Sequence, residues 1–312
     1  MSQLNSAEER ILKQVSAWKT KSPGYLTKAT NQMSKPLLWA GDKLIPKEAR
    51  SALGSVTELL VDKLQDVSQW SVSEAKVLES VRAFEIDSET ILELKKASIF
   101  DLDHVAEEAI KHNSQLAAAE GFGTGLLGWP GLVADMPALF TLSFRTVYQI
   151  ALCYGFQVDS DHTDDDDTPF EVGYMLRIFK VATAATKPDK LQAIIELSDY
   201  KNRMADGLRD VDDDETKPRL GGEFAVKQVG KTAAVGVSRI LINAIVRNTF
   251  ARKTITAIPG IGALLTAGFN YGYVNDVGEA AFHLYRERFL QEKKKRRESE
   301  AGSLRKFLFP ED

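Results

Sequence analysis

The stretch AEGFGTGLLGWPGLVADMPALF, residues 119–140, carries no charge between Glu120 and Asp135, and glycine returns at Gly121, Gly125, Gly128 and Gly131. Intervals of three to four place small residues on one side of a helix. The missing side chains let a neighbouring backbone come close and gain dispersion contacts. A glycine in a helix interior costs about 1 kcal/mol relative to alanine. That cost has to be offset by tight helix packing or by a site that needs close approach. A second stretch, TITAIPGIGALLTAGFNYGYVN at residues 254–275, is also uncharged, with Arg252 and Lys253 before it and Asp276 after it. Ala263, Gly268 and Gly272 supply its small residues, and Gly262 and Asn270 lie in the same run.

Working outward, helical periodicity recurs and strand signals are scarce. Residues 6–19 space Ile11, Leu12, Val15 and Trp18 on one face behind a Ser-Ala-Glu-Glu start that suits a capping box. Pro46 suits the first turn of a helix whose face runs Ala49, Leu53, Val56, Leu60, Leu64. Residues 73–84 and 88–97 read as amphipathic pieces. Asp101 or Asp103 is the expected N-cap of a long helix through Ala119. An apolar helix over 139–156 ends at Gly155. Helices at 170–186 and 190–208 are split by Lys187-Pro188, and further helices are expected over 224–247 and 278–297. The expected fold is all-α, a multi-helix bundle with the two glycine-rich apolar segments at its centre. Its expected organisation is a helical extension (1–85), a helical core (86–292) and a basic, aromatic tail (293–312).

The chain has 312 residues, 44% hydrophobic and 27% charged, with a net charge of −4. This composition supports a sizeable core and gives no overall field toward nucleic acid. Cys153, the one cysteine, excludes an internal disulfide and reads as a core residue. The polar N-terminus lacks an apolar signal core, so the cytoplasm is the expected compartment.

Several chemistries lack their residues. There is no G-x-S-x-G elbow and no H-E-x-x-H. Gly230-Lys231-Thr232 lacks the glycine that a phosphate-binding loop needs, because Ala225 stands there. Two acidic runs invite a calcium reading. Counted from Asp159, Asp164 and Phe170 occupy the sixth and twelfth places, and from Asp210, Glu215 and Gly221 do. Neither set meets the loop's glycine and carboxylate requirement. His104, Glu108 and His112 share a helical face and are candidate metal ligands, but no second ligand helix accompanies them. No cofactor is implied.

Three readings of the uncharged stretches compete: a buried hairpin, a shallow or re-entrant membrane insertion, and an apolar cavity for a lipid chain. A spanning helix needs about 20 mainly apolar residues. Pro130, Asp135 and Pro137 interrupt the first stretch, and Pro259 and Asn270 the second. Asp135 is expected to cap a helix beginning at Met136-Pro137, or to pair with Arg145 or Arg239. In the tail, Lys293, Lys294, Lys295, Arg296 and Arg297 precede Phe307 and Phe309. Basic residues beside aromatics suit an anionic membrane surface, and a solvated helix end has the same composition.

The run LDHVAEEAIKHNSQLAAAEGFGTGLLGWPGLVADMPALFTLSFRTVYQIALCYGF resembles the core signature of the EcsC family, through Glu120, Gly121, Gly125, Asp135, Pro137, Arg145, Tyr154 and Gly155. AIPGIGALLTAGFNYGYVNDVGEAAFHLYRERF resembles its second signature, through Pro259, Gly262, Ala263, Asn270, Ala280 and Arg286. The family takes its name from a member encoded with an ABC transporter, and the resemblance implies no enzymatic activity. The expected function is therefore a non-catalytic accessory role on membrane lipid or a membrane protein, at the inner face of the cell membrane. The candidate lipid or partner residues are Gly121, Gly125, Gly128, Asp135, Arg145, Gly262, Gly268, Gly272 and Asn270. The rival readings are a soluble protein-binding helical module and, further off, a hydrolase using Asp135 or Glu120.

Overall fold

The computed structural model describes residues 4–23, 54–61, 72–158, 170–212, 239–257 and 262–308. The helices are α1 (Ser6–Thr20), α2 (54–61), α3 (Glu74–Arg82), α4 (Ile99–Gly125), α5 (Gly128–Cys153), α6 (Phe170–Ala182), α7 (Lys187–Asp212), α8 (239–253) and α9 (Gly262–Leu308). Short 3-10 turns at Leu92–Lys96 and Thr254–Ala257 precede α4 and follow α8. No strand occurs among the described residues. The molecule is an all-α bundle. Both acidic runs, apart from residues 210–212, and most of the helix expected at 224–247 lie outside the described residues.

Helices α4 and α9 share the most extensive packing, and α5 lies against both. Their interface buries Leu102, Ala106, Ala117, Val274, Ala280 and Ala281. The small residues bring the axes close without leaving voids. Helices α6 and α7 pair on one side, and Phe140 and Phe144 of α5, Phe179 of α6 and Tyr273 of α9 form a ring cluster. Helix α1 lies on α9 through Ile11 and Val15.

The local signals were displaced in three places. The capping box of α1 sits one residue earlier than expected. Asn5 accepts from the N–H groups of Ala7 and Glu8 at 3.0 and 2.8 Å, and Glu8 accepts from the Asn5 N–H at 2.9 Å. Helix α4 starts at Ile99, and Ser98 before it makes no side-chain cap. Asp103 is therefore inside the helix and buried, not a cap. The third displacement is at Pro137. Proline inside a helix forfeits a hydrogen bond and costs about 3 kcal/mol, so a helix start was expected beside it. Helix α5 instead runs through it from Gly128. Leu132, Met136, Leu139 and Phe140 are all buried on one continuous face, and that packing outweighs the local cost.

The second uncharged stretch and the basic helix expected after it are one element. Helix α9 has 47 residues, a length of about 70 Å. The first stretch folds as the end of α4, a turn at Leu126-Leu127, and the start of α5. Gly128 has φ +63° there, a backbone conformation that a side chain disfavours. Gly155 after α5 has φ +80°, as its C-terminal role requires. Cys153 is fully buried, and burial pushes its thiol up to about 12.

Candidate functional site

Where α4 meets the start of α9 the two backbones nearly touch. A methyl group on Gly125 would lie 2.6 Å from the Gly262 carbonyl oxygen and 2.7 Å from the Ala263 Cα. A methyl on Gly121 would lie 2.5 Å from the Asn270 side chain and 2.9 Å from the Thr266 carbonyl. Glycine is required at both places because the obstacles include backbone that cannot rotate away.

The close crossing encloses a polar cluster. Asp135 is fully buried and forms an ion pair with the fully buried Lys253. Lys253 Nζ donates to Asn270 Oδ1 at 2.7 Å. Asn270 Nδ2 in turn donates to both carboxylate oxygens of Asp135 at 3.0 Å. Thr124 Oγ1 donates to Asp135 Oδ1 at 2.6 Å. Four helices, α4, α5, α8 and α9, each supply one member. The carboxylate thus has three donor groups, as a buried charge must. Burial pushes the Lys253 ammonium well below the ordinary lysine range.

Asp135 consequently neither caps a helix nor meets an arginine. Arg145 lies about 15 Å further along α5, half-buried, with its Nε lacking a hydrogen-bond partner among the described residues. Arg239 pairs with Glu58. Lys253 was the partner missed in the sequence. Its only signal is its place at the edge of an uncharged run.

Above this cluster the bundle ends in an apolar tip. Phe122, Leu126 and Leu127 at the α4–α5 turn are 49%, 71% and 64% exposed. Leu264, on the first turn of α9 beside the Gly125–Gly262 contact, is 73% exposed. Glu120 is at the surface, whereas Asp135 is fully buried. Gly268 does not share the close approach: it faces outward, and a methyl there would meet nothing within 4 Å. Gly272 is half-buried.

Two more buried ion pairs lie further down α9. Arg286 meets Asp103 at 2.7 Å, and the Tyr154 hydroxyl donates to the same carboxylate at 2.6 Å. Burial outweighs the guanidinium and holds the Asp103 carboxyl above its usual range. Arg288 meets Glu171 at 2.6 Å amid the rings of Phe156, Phe170 and Tyr174.

The other candidates are placed elsewhere. His104, Glu108 and His112 are on the exposed face of α4, His104 stacking on Phe84. Among the described residues no three such side chains come together to share a metal ion. In the basic run, Lys293 and Arg297 both reach Glu8, at 2.8 and 3.5 Å. Lys294 pairs with Glu298 at 3.9 Å, and Arg296 donates to the Lys95 carbonyl at 2.9 Å. Lys295 is exposed. Phe307 is in the last turn of α9, and Phe309 lies outside the described residues. Among the described residues no helix is long and apolar enough to cross a membrane.

The sequence profile of the EcsC protein family matches residues 9–290, from α1 to the end of the buried part of α9. The chain belongs to the EcsC family. Two proteins of Bacillus subtilis (strain 168) are similar to it. The uncharacterized protein YdbA is 25% identical over 262 residues, covering 83% of this chain and 85% of YdbA. Protein EcsC is 23% identical over 256 residues, covering 80% of this chain and 89% of that protein. No solved structure matches. In this EcsC chain the two signature stretches are in direct contact. Asp135 of the first hydrogen-bonds Asn270 of the second, Gly125 abuts Gly262, and Tyr154 and Arg286 share Asp103.

Proposed function

We propose that the protein is a non-catalytic accessory that attaches reversibly to a lipid surface by the apolar tip, and serves a membrane partner there. The observation that carries this reading is the tip itself. Four large apolar side chains, Phe122, Leu126, Leu127 and Leu264, stand exposed together at the end of the bundle, in stretches without charge. An isolated exposed leucine is ordinary; a cluster at one end is the mark of an interaction site. The glycine crossing and the Asp135–Lys253–Asn270 cluster are its foundation, holding α4, α5 and α9 together so that the tip keeps its shape. Each exposed side chain gains about 1 to 2 kcal/mol on entering an apolar phase. The sum is in the range of a single acyl anchor, which gives reversible attachment.

Vesicle flotation tests it. The intact protein is expected to float with phosphatidylcholine–phosphatidylglycerol vesicles. Leu126→Asp with Leu264→Asp is expected to abolish flotation while leaving the melting temperature within a few degrees. Unchanged flotation of that variant would remove the tip from the account. Absence of flotation for the folded wild-type protein would leave the tip to a protein partner.

A further inference from the structure

A second feature stands apart from the tip. A cleft of about 530 Å³ opens between the end of α1, the middle of α4 and α9, where Trp18, Lys111 and His283 are among its lining. This volume suits a small molecule. Lys111 is about 20 Å down α4 from Gly125, so a lipid surface at the tip leaves the cleft in water.

Lys190, at the start of α7, reaches into this cleft. It is 4% exposed, and its ammonium donates to the Trp18 carbonyl at 2.8 Å and lies 3.7 Å from the Trp18 ring centroid. Among the described residues no carboxylate is within salt-bridge distance of it. The buried cations Lys253 and Arg286 each meet one, and the buried Arg252 donates to the Thr183 carbonyl instead. Among the described residues the Trp18 carbonyl is the one hydrogen-bond acceptor of the Lys190 ammonium. Burial pushes Lys190 down to about 8 against the opposing pull of Glu279 and Asp276, which lie beyond salt-bridge distance. Beside it the His283 ring stacks on Trp18 at 4.8 Å, and its Nδ1 is buried without a hydrogen-bond partner. Ile110, Val181 and Tyr271 supply an apolar wall.

We infer that this cleft binds a small molecule with one anionic group, a carboxylate or a phosphate ester, on an apolar or aromatic body. The anion completes the coordination of the Lys190 ammonium, and the body lies on the apolar wall beside the Trp18–His283 stack. The remaining charges limit the ligand to a single anion. Lys21 and Lys111 also line the cleft, but so do Glu107, Asp276 and Glu279. Their balance disfavours a polyanion.

Calorimetry with phenyl phosphate, phenylacetate and phenethylamine at pH 7 tests this. At least one of the two anions is expected to bind in the submillimolar range and the amine to bind at least tenfold more weakly; the preferred anion names the group. Lys190→Met is expected to weaken the anion at least tenfold. Neither anion binding, the amine binding as tightly, or Lys190→Met binding like the wild type would each overturn the inference. Should Lys190→Met not fold, the wild-type charge selectivity still decides. Trp18 locates the site independently, because Trp18→Phe is expected to remove the emission change that the anion causes; a change that persists in full would overturn the placement. These assays contain no lipid, so their failure is separate from failure of the tip.

Discussion

At the scale of single residues, Asp135 and Lys253 carry the largest stakes. Removing one partner of a buried pair leaves the other charge uncompensated, at a cost of about 3 to 5 kcal/mol, whereas apolar replacement of both is far milder. Lys253→Met is therefore expected to lower stability by about that amount, and Asp135→Leu combined with Lys253→Met to recover much of it. Denaturant melts of the two single variants and the double variant check this; additive losses would mean the pair is not coupled. His283 gives a pH signature. Burial, with Arg286, Lys190 and Lys21 nearby, pushes its imidazole down to about 3. An unfolded histidine takes up a proton below about pH 6.5, while the folded one stays neutral until far lower. Acidification through that window thus favours the unfolded chain. The melting temperature is expected to fall between pH 7 and 5, and His283→Gln to flatten that slope. An identical slope in the variant would mean another group is responsible.

At the scale of elements, the crossing of α4 on α9 separates two kinds of glycine. At Gly125 a methyl group meets backbone of α9 at 2.6 and 2.7 Å, so the helices must move apart. At Gly268 it meets nothing within 4 Å and gains only helix propensity. Gly125→Ala is expected to destabilise by about 1 to 3 kcal/mol, and Gly268→Ala to stabilise by about 0.5 to 1 kcal/mol. Thermal melts of the pair check the sign at each position. The glycines of the second stretch thus do not mark a single contact face. Gly262 faces α4, and Gly268 faces outward on the same helix.

At the scale of the whole molecule, α9 connects the tip to the basic run. Leu264 and Lys294 are about 45 Å apart along its axis. A surface touched tip-first does not reach the basic run, and Lys293 and Arg297 are already engaged by Glu8. Charge reversal at Lys294 and Lys295, which leaves the Glu8 pairs intact, is expected to change vesicle flotation by less than twofold. A large loss would mean that the molecule lies along the membrane instead of standing on its tip.

By itself the sequence determined the helical class, the family resemblance and the importance of the two uncharged stretches, because apolar periodicity and glycine spacing are local properties. The roles of Gly155 and Cys153 were legible for the same reason. Only the tertiary structure decided where charge goes inside. Asp103 resembled a cap and Asp135 a helix start, and both became members of buried ion pairs with residues more than a hundred positions away. Pairing of that kind depends on which helices cross, and helix crossing is set by packing summed over whole faces. No short stretch of sequence contains that sum.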